Sequence, residues 1–325
     1  MDYISTIKQP ISRELDEFIR LFNESLTHSN GLLQQVLNHI LQRGGKRMRP
    51  MLVLLIARNY GKICDSTFFA GIGLELLHTA SLVHDDVVDE ALTRRGQASV
   101  NAQYRNKVAV LAGDFILATA LTKVNQTRNV DIISYLSNLG RVLAEGEILQ
   151  LSNIENEKIT EEVYYNVIKQ KTAALFEACC AMGAMSVNAS EEDIVKVRKF
   201  GQNLGIIFQI RDDIFDYYDS TEIGKPTGND MLEGKLTLPV IHVLLTTQNE
   251  KMLEIAYKVK ARTVTQEEIS ALVEFTKHNG GIEYAEKCMQ EYHEKCVEFI
   301  NENVVDPQLK ESLLAYTDYV TARNI

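Results

Sequence analysis

Only five prolines interrupt this chain (Pro10, Pro50, Pro226, Pro239 and Pro307), and the long stretches between them repeat apolar residues at helical spacing. Leu15, Phe18, Ile19 and Phe22 form one such stripe, the i, i+3, i+4, i+7 pattern of an amphipathic helix. The same spacing predicts helices over 31–43, 51–60, 66–91, 109–123, 131–151, 161–187, 191–217, 236–246 and 266–277. Alternating β-branched runs and Asn-Gly or Asp-Gly hairpin signals are missing, so the chain is expected to be all-α. No linker, low-complexity tract or short-period repeat divides the 325 residues, which points to a single domain over 1–325. The segment from Ser220 to Lys235 gathers Gly, Pro, Thr, Asn and Asp and reads as a loop, too short for a tether between domains.

That loop follows one of two acidic clusters set in apolar helices. Residues 82–89 read Leu-Val-His-Asp-Asp-Val-Val-Asp, placing Asp85 and Asp89 four apart on one helix face, with Asp86 beside them. Like charges at that spacing repel, and acids among Leu82, Val83, Val87 and Val88 are costly to desolvate unpaired, so the cluster calls for a cation. A helix end with solvated acids would carry the same residues. The second cluster, Gln209-Ile210-Arg211-Asp212-Asp213-Ile214-Phe215-Asp216-Tyr217, repeats the spacing and weakens that alternative. Carboxylates from two facing helices suit a hard divalent cation, and Mg²⁺ favours a few carboxylates completed by water and substrate phosphates. The candidate metal ligands are therefore Asp85, Asp86, Asp89, Asp212, Asp213 and Asp216. Histidine and cysteine partners at ligand spacing are lacking, which disfavours zinc or iron; His84 reads as a packing or supporting residue.

The formal charge is −10, which argues against nucleic acid and anionic membrane surfaces as partners. Cations are nevertheless grouped beside the acids. Lys46, Arg47 and Arg49 lie in Gly44-Gly45-Lys46-Arg47-Met48-Arg49-Pro50, just before an apolar helix; Arg94 and Arg95 follow the first acidic helix. Lys171-Thr172 sits in a helix, and Lys225 and Lys235 flank the loop after the second cluster. Exposed lysines are commonly plain surface, but together these suit a polyanion such as a diphosphate. The five cysteines (Cys64, Cys179, Cys180, Cys288, Cys296) are odd in number without C-x-x-C spacing, which fits a reducing cytoplasm. No secretory leader is expected at the start, and the longest apolar run, Met51 to Ala57, falls short of the roughly 20 residues of a spanning helix.

In order and spacing, GGKRMRP at 44–50, HTASLVHDDVVDEALTRRG at 78–96, GDF at 113–115, KT at 171–172, QIRDDIFDY at 209–217 and GKPTGNDMLEGK at 224–235 resemble the trans-isoprenyl diphosphate synthase family, the polyprenyl synthases. The resemblance implies a bundle of antiparallel helices around a deep central cavity, built as one synthase domain and paired as a homodimer. It implies that Asp85, Asp86, Asp89 and Asp212 hold two or three Mg²⁺ ions on an allylic diphosphate. Arg94, Lys171, Thr172, Gln209, Lys225 and Lys235 would bind that diphosphate, and Arg94 and Lys171 join those four acids as catalytic candidates. Lys46, Arg49, His78 and Arg95, with Arg47 near them, would bind isopentenyl diphosphate. The activity implied is addition of isopentenyl units to farnesyl or geranylgeranyl diphosphate, with transient membrane contact for product release.

The chemistry asks for those residue types independently. Breaking an allylic carbon–oxygen bond yields a delocalised carbocation and a diphosphate, so metals and cations must stabilise negative charge on the leaving group, and no nucleophilic side chain is needed. A class I terpene cyclase would leave Lys46, Arg49 and Arg95 without a second substrate, and a non-catalytic subunit of a heteromeric synthase could dispense with the acids kept here. Ala80 and Ser81, five and four places before Asp85, are small where family members with short products carry bulky aromatics. They point to a long linear all-trans product, hexaprenyl to decaprenyl, over a farnesyl or geranylgeranyl one.

Overall fold

The computed structural model describes residues 2–42, 45–94, 96–155, 158–218 and 227–322. It opens with α1 (Tyr3–Lys8), a 3-10 turn (Gln9–Ile11), α2 (Ser12–Ser25), α3 (Gly31–Leu41), α4 (Met48–Tyr60) and α5 (Asp65–Val88). A minimal antiparallel hairpin, β1 (Thr93–Arg94) with β2 (Gln97–Ala98), leads into α6 (Val100–Tyr104), α7 (Asn106–Asn125) and α8 (Val130–Glu155). Next come α9 (Glu161–Ile168), a π-helical turn (Lys169–Ala173), α10 (Ala174–Met185) and α11 (Glu191–Phe215). The remainder is α12 (Asn229–Leu232), α13 (Leu238–Thr247), α14 (Glu250–Lys260), α15 (Gln266–His278), α16 (Gly281–Asn303) and α17 (Pro307–Ala322).

The class is all-α, as the apolar spacing predicts. Pro10 lies in the 3-10 turn, and Pro50, Pro239 and Pro307 lie in the first turns of α4, α13 and α17, where a missing N–H costs nothing. Pro226 is outside the described residues. Side-chain caps start other helices: Asn30 accepts the Leu33 N–H, Thr160 the Val163 N–H, and Thr265 and Glu268 form a reciprocal box. Three long helices go beyond the sequence expectation, α14, α16 and α17. In α16 the buried stripe of Ile282, Ala285, Met289, Cys296 and Ile300 is thin within a polar sequence. The hairpin after α5 was also not foreseen, because its strands are two residues each.

The chain gathers into two units. The first comprises Met1–Gly140, Leu175–Gly201 and Asn301–Ala315. Its centre is α4, buried continuously from Pro50 to Ala57, as a helix apolar on every side must be. Against it pack α2, through Leu15, Phe18 and Phe22, and α5. Each such large side chain taken from water contributes about 1.5–3 kcal/mol. Both α5 and α7 are long and apolar enough to cross a bilayer, a property that core helices share, and here they pack extensively on one another. The second unit comprises Arg141–Ala174, Gln202–Ile300 and Tyr316–Ile325, with a core that includes Ile168, Ile207, Ile210, Ile241, Ile269 and Leu272.

Candidate active site

The first acidic cluster belongs to the first unit and ends α5. Asp85 is half-buried, Asp89 is exposed at the C-cap, and Asp86 between them is only 1% exposed. Arg94, on the hairpin, donates from Nε to Asp86 Oδ1 at 2.6 Å. The other carboxylate oxygen, Asp86 Oδ2, is buried without a hydrogen-bond partner. Arg94 is thus held by an acid of the motif it follows. His84 packs against Gly113 of α7, whose bare Cα alone leaves room for the ring, with Nε2 3.3 Å from Val110 O and 3.4 Å from Asp114 Oδ1. This explains the Gly-Asp pair of the GDF segment and keeps His84 as a packing residue.

The candidate isopentenyl diphosphate residues lie in the same unit. Lys46 is exposed and His78 half-buried on α5. Arg47, in left-handed conformation at φ 55°, is turned to Glu75 at 3.6 Å and over the Phe22 ring at 4.8 Å. Arg49 is half-buried, and its Nε has no hydrogen-bond partner. Ala80 is buried, and the Ser81 hydroxyl donates to His78 O of its own helix at 2.9 Å. Arg95 and Lys225 fall outside the described residues.

The second cluster belongs to the second unit. The π-helical turn sets Lys171 and Thr172 side by side, and two glycines admit the neighbouring helices to it. A Cβ on Gly146 of α8 would lie 2.9 Å from Gln170 Cβ, and one on Gly205 of α11 would collide with Ala173 Cα. Such one-turn π segments are common at functional sites. Lys171 Nζ contacts Glu147 Oε2 at 2.5 Å and donates to Gln150 Oε1 at 3.1 Å. Thr172 donates to Gln209 Oε1 at 2.7 Å, Gln209 donates to Asp213 Oδ1 at 2.8 Å, and the Tyr164 hydroxyl donates to Asp213 Oδ2 at 2.6 Å.

Asp213 is 2% exposed. Burial, reinforced by the nearby Asp230 charge, pushes its carboxyl well above the usual range, against the pull of the Tyr164 and Gln209 hydrogen bonds. Asp212 and Asp216 are half-buried. Asp216 accepts the backbone N–H groups of Asn229 at 2.9 Å and Asp230 at 3.0 Å, tying α11 to α12, and Lys235 pairs with Glu233 at 2.5 Å. A cavity of about 200 Å³ is lined by Tyr164, Lys171, Thr172, Gln209, Asp213 and Lys235, with Val163, Val167, Ile168 and Ile241 as its apolar part. Among the described residues no three His, Cys, Asp or Glu side chains converge as a metal cage. The all-oxygen donors and the orphaned Asp86 Oδ2 nonetheless fit Mg²⁺, which completes its shell with water and phosphate.

Sequence reasoning missed Glu147, Gln150 and Tyr164. Tyr164 stands seven residues before Lys171, and a buried phenol requires a partner, so that one had a readable signal. Glu147 and Gln150 had none, because the partner they meet is more than twenty positions away.

The polyprenyl synthetase family profile matches residues 30–276. The octaprenyl diphosphate synthase of Haemophilus influenzae is 35% identical over 296 residues, 90% of this chain and 89% of that protein. A solved structure described as geranylgeranyl pyrophosphate synthase from Bacteroides thetaiotaomicron is 50% identical, with a TM-score of 0.88 over 99% of this chain and 100% of that one. Another, described as a decaprenyl diphosphate synthase from Rhodobacter capsulatus, is 32% identical with a TM-score of 0.91, covering 98% of each chain.

Proposed function

The chain belongs to the polyprenyl synthetase family of prenyltransferases, and from that premise we propose that it extends farnesyl or geranylgeranyl diphosphate with isopentenyl diphosphate to a long linear all-trans polyprenyl diphosphate. The observation that carries this is the joint presence of two Asp-Asp-x-x-Asp helices and a second cation set, Lys46, Arg49 and Arg95, which a one-substrate cyclase would not need.

Asp85, Asp89 and Asp212, with Asp86 through its unpartnered oxygen, would hold Mg²⁺, which neutralises the diphosphate as it leaves. Asp213 and Asp216 serve mainly by fixing the second acidic helix, one through Tyr164 and Gln209 and the other through the N–H groups of α12. Lys171, Thr172, Gln209, Lys235, Lys225 and Arg94 bind the allylic diphosphate; Glu147 and Gln150 keep the Lys171 ammonium in place until it does. Lys46, Arg49, His78 and Arg95 bind isopentenyl diphosphate, with Arg47 held beside them by Glu75. Once the allylic C–O bond breaks, the double bond of isopentenyl diphosphate attacks the resulting cation, and the released diphosphate takes the proton lost in forming the new double bond. Positioning and exclusion of water supply most of the remaining rate.

The enzyme is proposed to be one synthase domain acting as a cytoplasmic homodimer that touches membrane only to release product. Unit boundaries at Gly140, Gly201 and Ala315 fall inside α8, α11 and α17, which supports continuity over a linker. A second reading, a geranylgeranyl product, is favoured by the 50% identical structure of that description. Incubating the purified chain with Mg²⁺, farnesyl diphosphate and labelled isopentenyl diphosphate, then separating the dephosphorylated products, decides between them. Linear products beyond geranylgeranyl length are expected; cyclised product, or none, would overturn the proposal.

A further inference from the structure

The turn that ends α5 carries the acids assigned to the metal, and its closing loop needs support from outside. Glu90 adopts a left-handed φ of 51°, where glycine is at ease and glutamate is not. Its N–H points to Val87 O at 3.4 Å, and the Ala91 N–H donates to Asp86 O at 2.9 Å, the crossed pair of a Schellman end. Two carbonyls frame this loop, Asp86 O and Ala91 O. One side chain holds both: Asn101 of α6, 9% exposed, donates from Nδ2 to Asp86 O at 3.0 Å and to Ala91 O at 3.1 Å. Ser99, fully buried, adds its hydroxyl to Ala91 O at 2.6 Å and its N–H to Leu92 O at 3.0 Å.

These bonds fix two things at once. Asp86 O belongs to the acid between Asp85 and Asp89, and Ala91 and Leu92 begin the hairpin that carries Arg94. A residue serving only to fill space could be any side chain of that volume. Two carbonyls aimed at one buried amide require N–H donors, and the Asn101 Oδ1 left buried without a partner shows what is given up to supply them.

We infer that Asn101, backed by Ser99, is a positioning residue for prenyl transfer: it holds the end of α5 and the Arg94 hairpin in the arrangement that receives metal and diphosphate, without touching substrate. It rests on the reading of this helix end as a metal site. The test uses the full chain as wild type, Asn101→Leu and Asn101→Asp, the first variant removing the donors without charge and the second with it. Mg²⁺-dependent binding of inorganic diphosphate is measured by titration calorimetry, helicity by circular dichroism, and turnover against Mg²⁺ and isopentenyl diphosphate. Supporting residues behind metal ligands typically matter by 10–100-fold, so both variants are expected to bind Mg²⁺-diphosphate about tenfold more weakly. Turnover should recover as Mg²⁺ is raised, while KM for isopentenyl diphosphate stays within about twofold, a split that general loosening would not produce.

Folded variants with wild-type Mg²⁺-diphosphate binding would overturn the role of Asn101 alone. A wild type with no Mg²⁺-dependent diphosphate binding would overturn the metal reading and this role with it. If neither variant folds, Ser99→Ala carries the test, since it removes only the hydroxyl that donates to Ala91 O and caps α6 by accepting the Ala102 N–H: binding weakened by about fivefold supports the inference, and unchanged binding overturns it.

Discussion

Asp86 and Asp213 occupy the same place in their motifs, the second of two adjacent acids, but both oxygens of Asp213 are bonded whereas Asp86 keeps Oδ2 without a hydrogen-bond partner. Each is buried and held within its own unit, Asp86 by Arg94 and Asp213 by Tyr164 and Gln209. Their neighbours Asp85, Asp89 and Asp212 stand half-buried or exposed. A carboxylate out of water must be bonded, whereas one at the edge can wait for a metal, so the two kinds of acid should fail differently. Asp85→Ala or Asp89→Ala is expected to cut turnover by several orders of magnitude with helicity intact; near-normal turnover at saturating Mg²⁺ would contradict the metal assignment. Tyr164→Phe should instead lower unfolding free energy by about 1–3 kcal/mol, the cost of leaving a buried acceptor without its donor, read from denaturant titration. Arg95→Ala should chiefly raise KM for isopentenyl diphosphate and Lys225→Ala that for the allylic substrate; equal effects on both substrates would undo the division. The acids were legible because their spacing is local. Tyr164, Glu147 and Asn101 act across folded distances, and a sequence does not show which partner a side chain will meet.

At the scale of elements, the π-helical turn between α9 and α10 is the feature most dependent on its neighbours. Gly146 and Gly205 bring α8 and α11 against it, and the added methyl of Gly205→Ala would meet the backbone of Ala173. Backbone cannot rotate aside as a side chain can. The variant is therefore expected to lose about 1–3 kcal/mol of stability by overpacking. Because Lys171 and Thr172 ride on the turn, KM for the allylic substrate should rise while that for isopentenyl diphosphate holds. Gly146→Ala would meet Gln170 Cβ at 2.9 Å and Lys171 N at 3.1 Å, less tightly than the 2.4 Å at Gly205, and should show the same trend more weakly; a KM unchanged in both would detach the turn from substrate binding. Most long helices followed from apolar spacing alone. The π-turn did not, since one extra residue in the coil leaves the stripe over 161–187 looking continuous, and the polar sequence of α16 hid a helix that buries only a narrow seam.

At the scale of the whole molecule, the property to explain is how long the product grows. A chain elongating away from the first acidic cluster is expected to run along α5, past Ala80 and Ser81. Further back on α5 the packing tightens: Leu77 faces Gly140 of α8, and a Cβ on Gly73 would lie 3.2 Å from Val124 Cβ and 3.4 Å from Leu136. Bulk that could stop growth therefore stands one and two turns beyond Ala80, which leaves the first barrier open. Ala80→Phe separates the two roles this buried residue can have. If Ala80 lines the product's path, the ring fills open space, stability changes little, and products stop at farnesyl or geranylgeranyl length while elongation survives. If Ala80 only lets helices approach, the ring overpacks a closed seam at a cost of about 1–3 kcal/mol, the thermal midpoint falls, and whatever activity remains still gives long chains. Chromatography of the dephosphorylated products beside a thermal melt reads both outcomes from one preparation. The first is expected, and an unchanged long-chain profile from a folded, active variant would show that this face of α5 does not set product length.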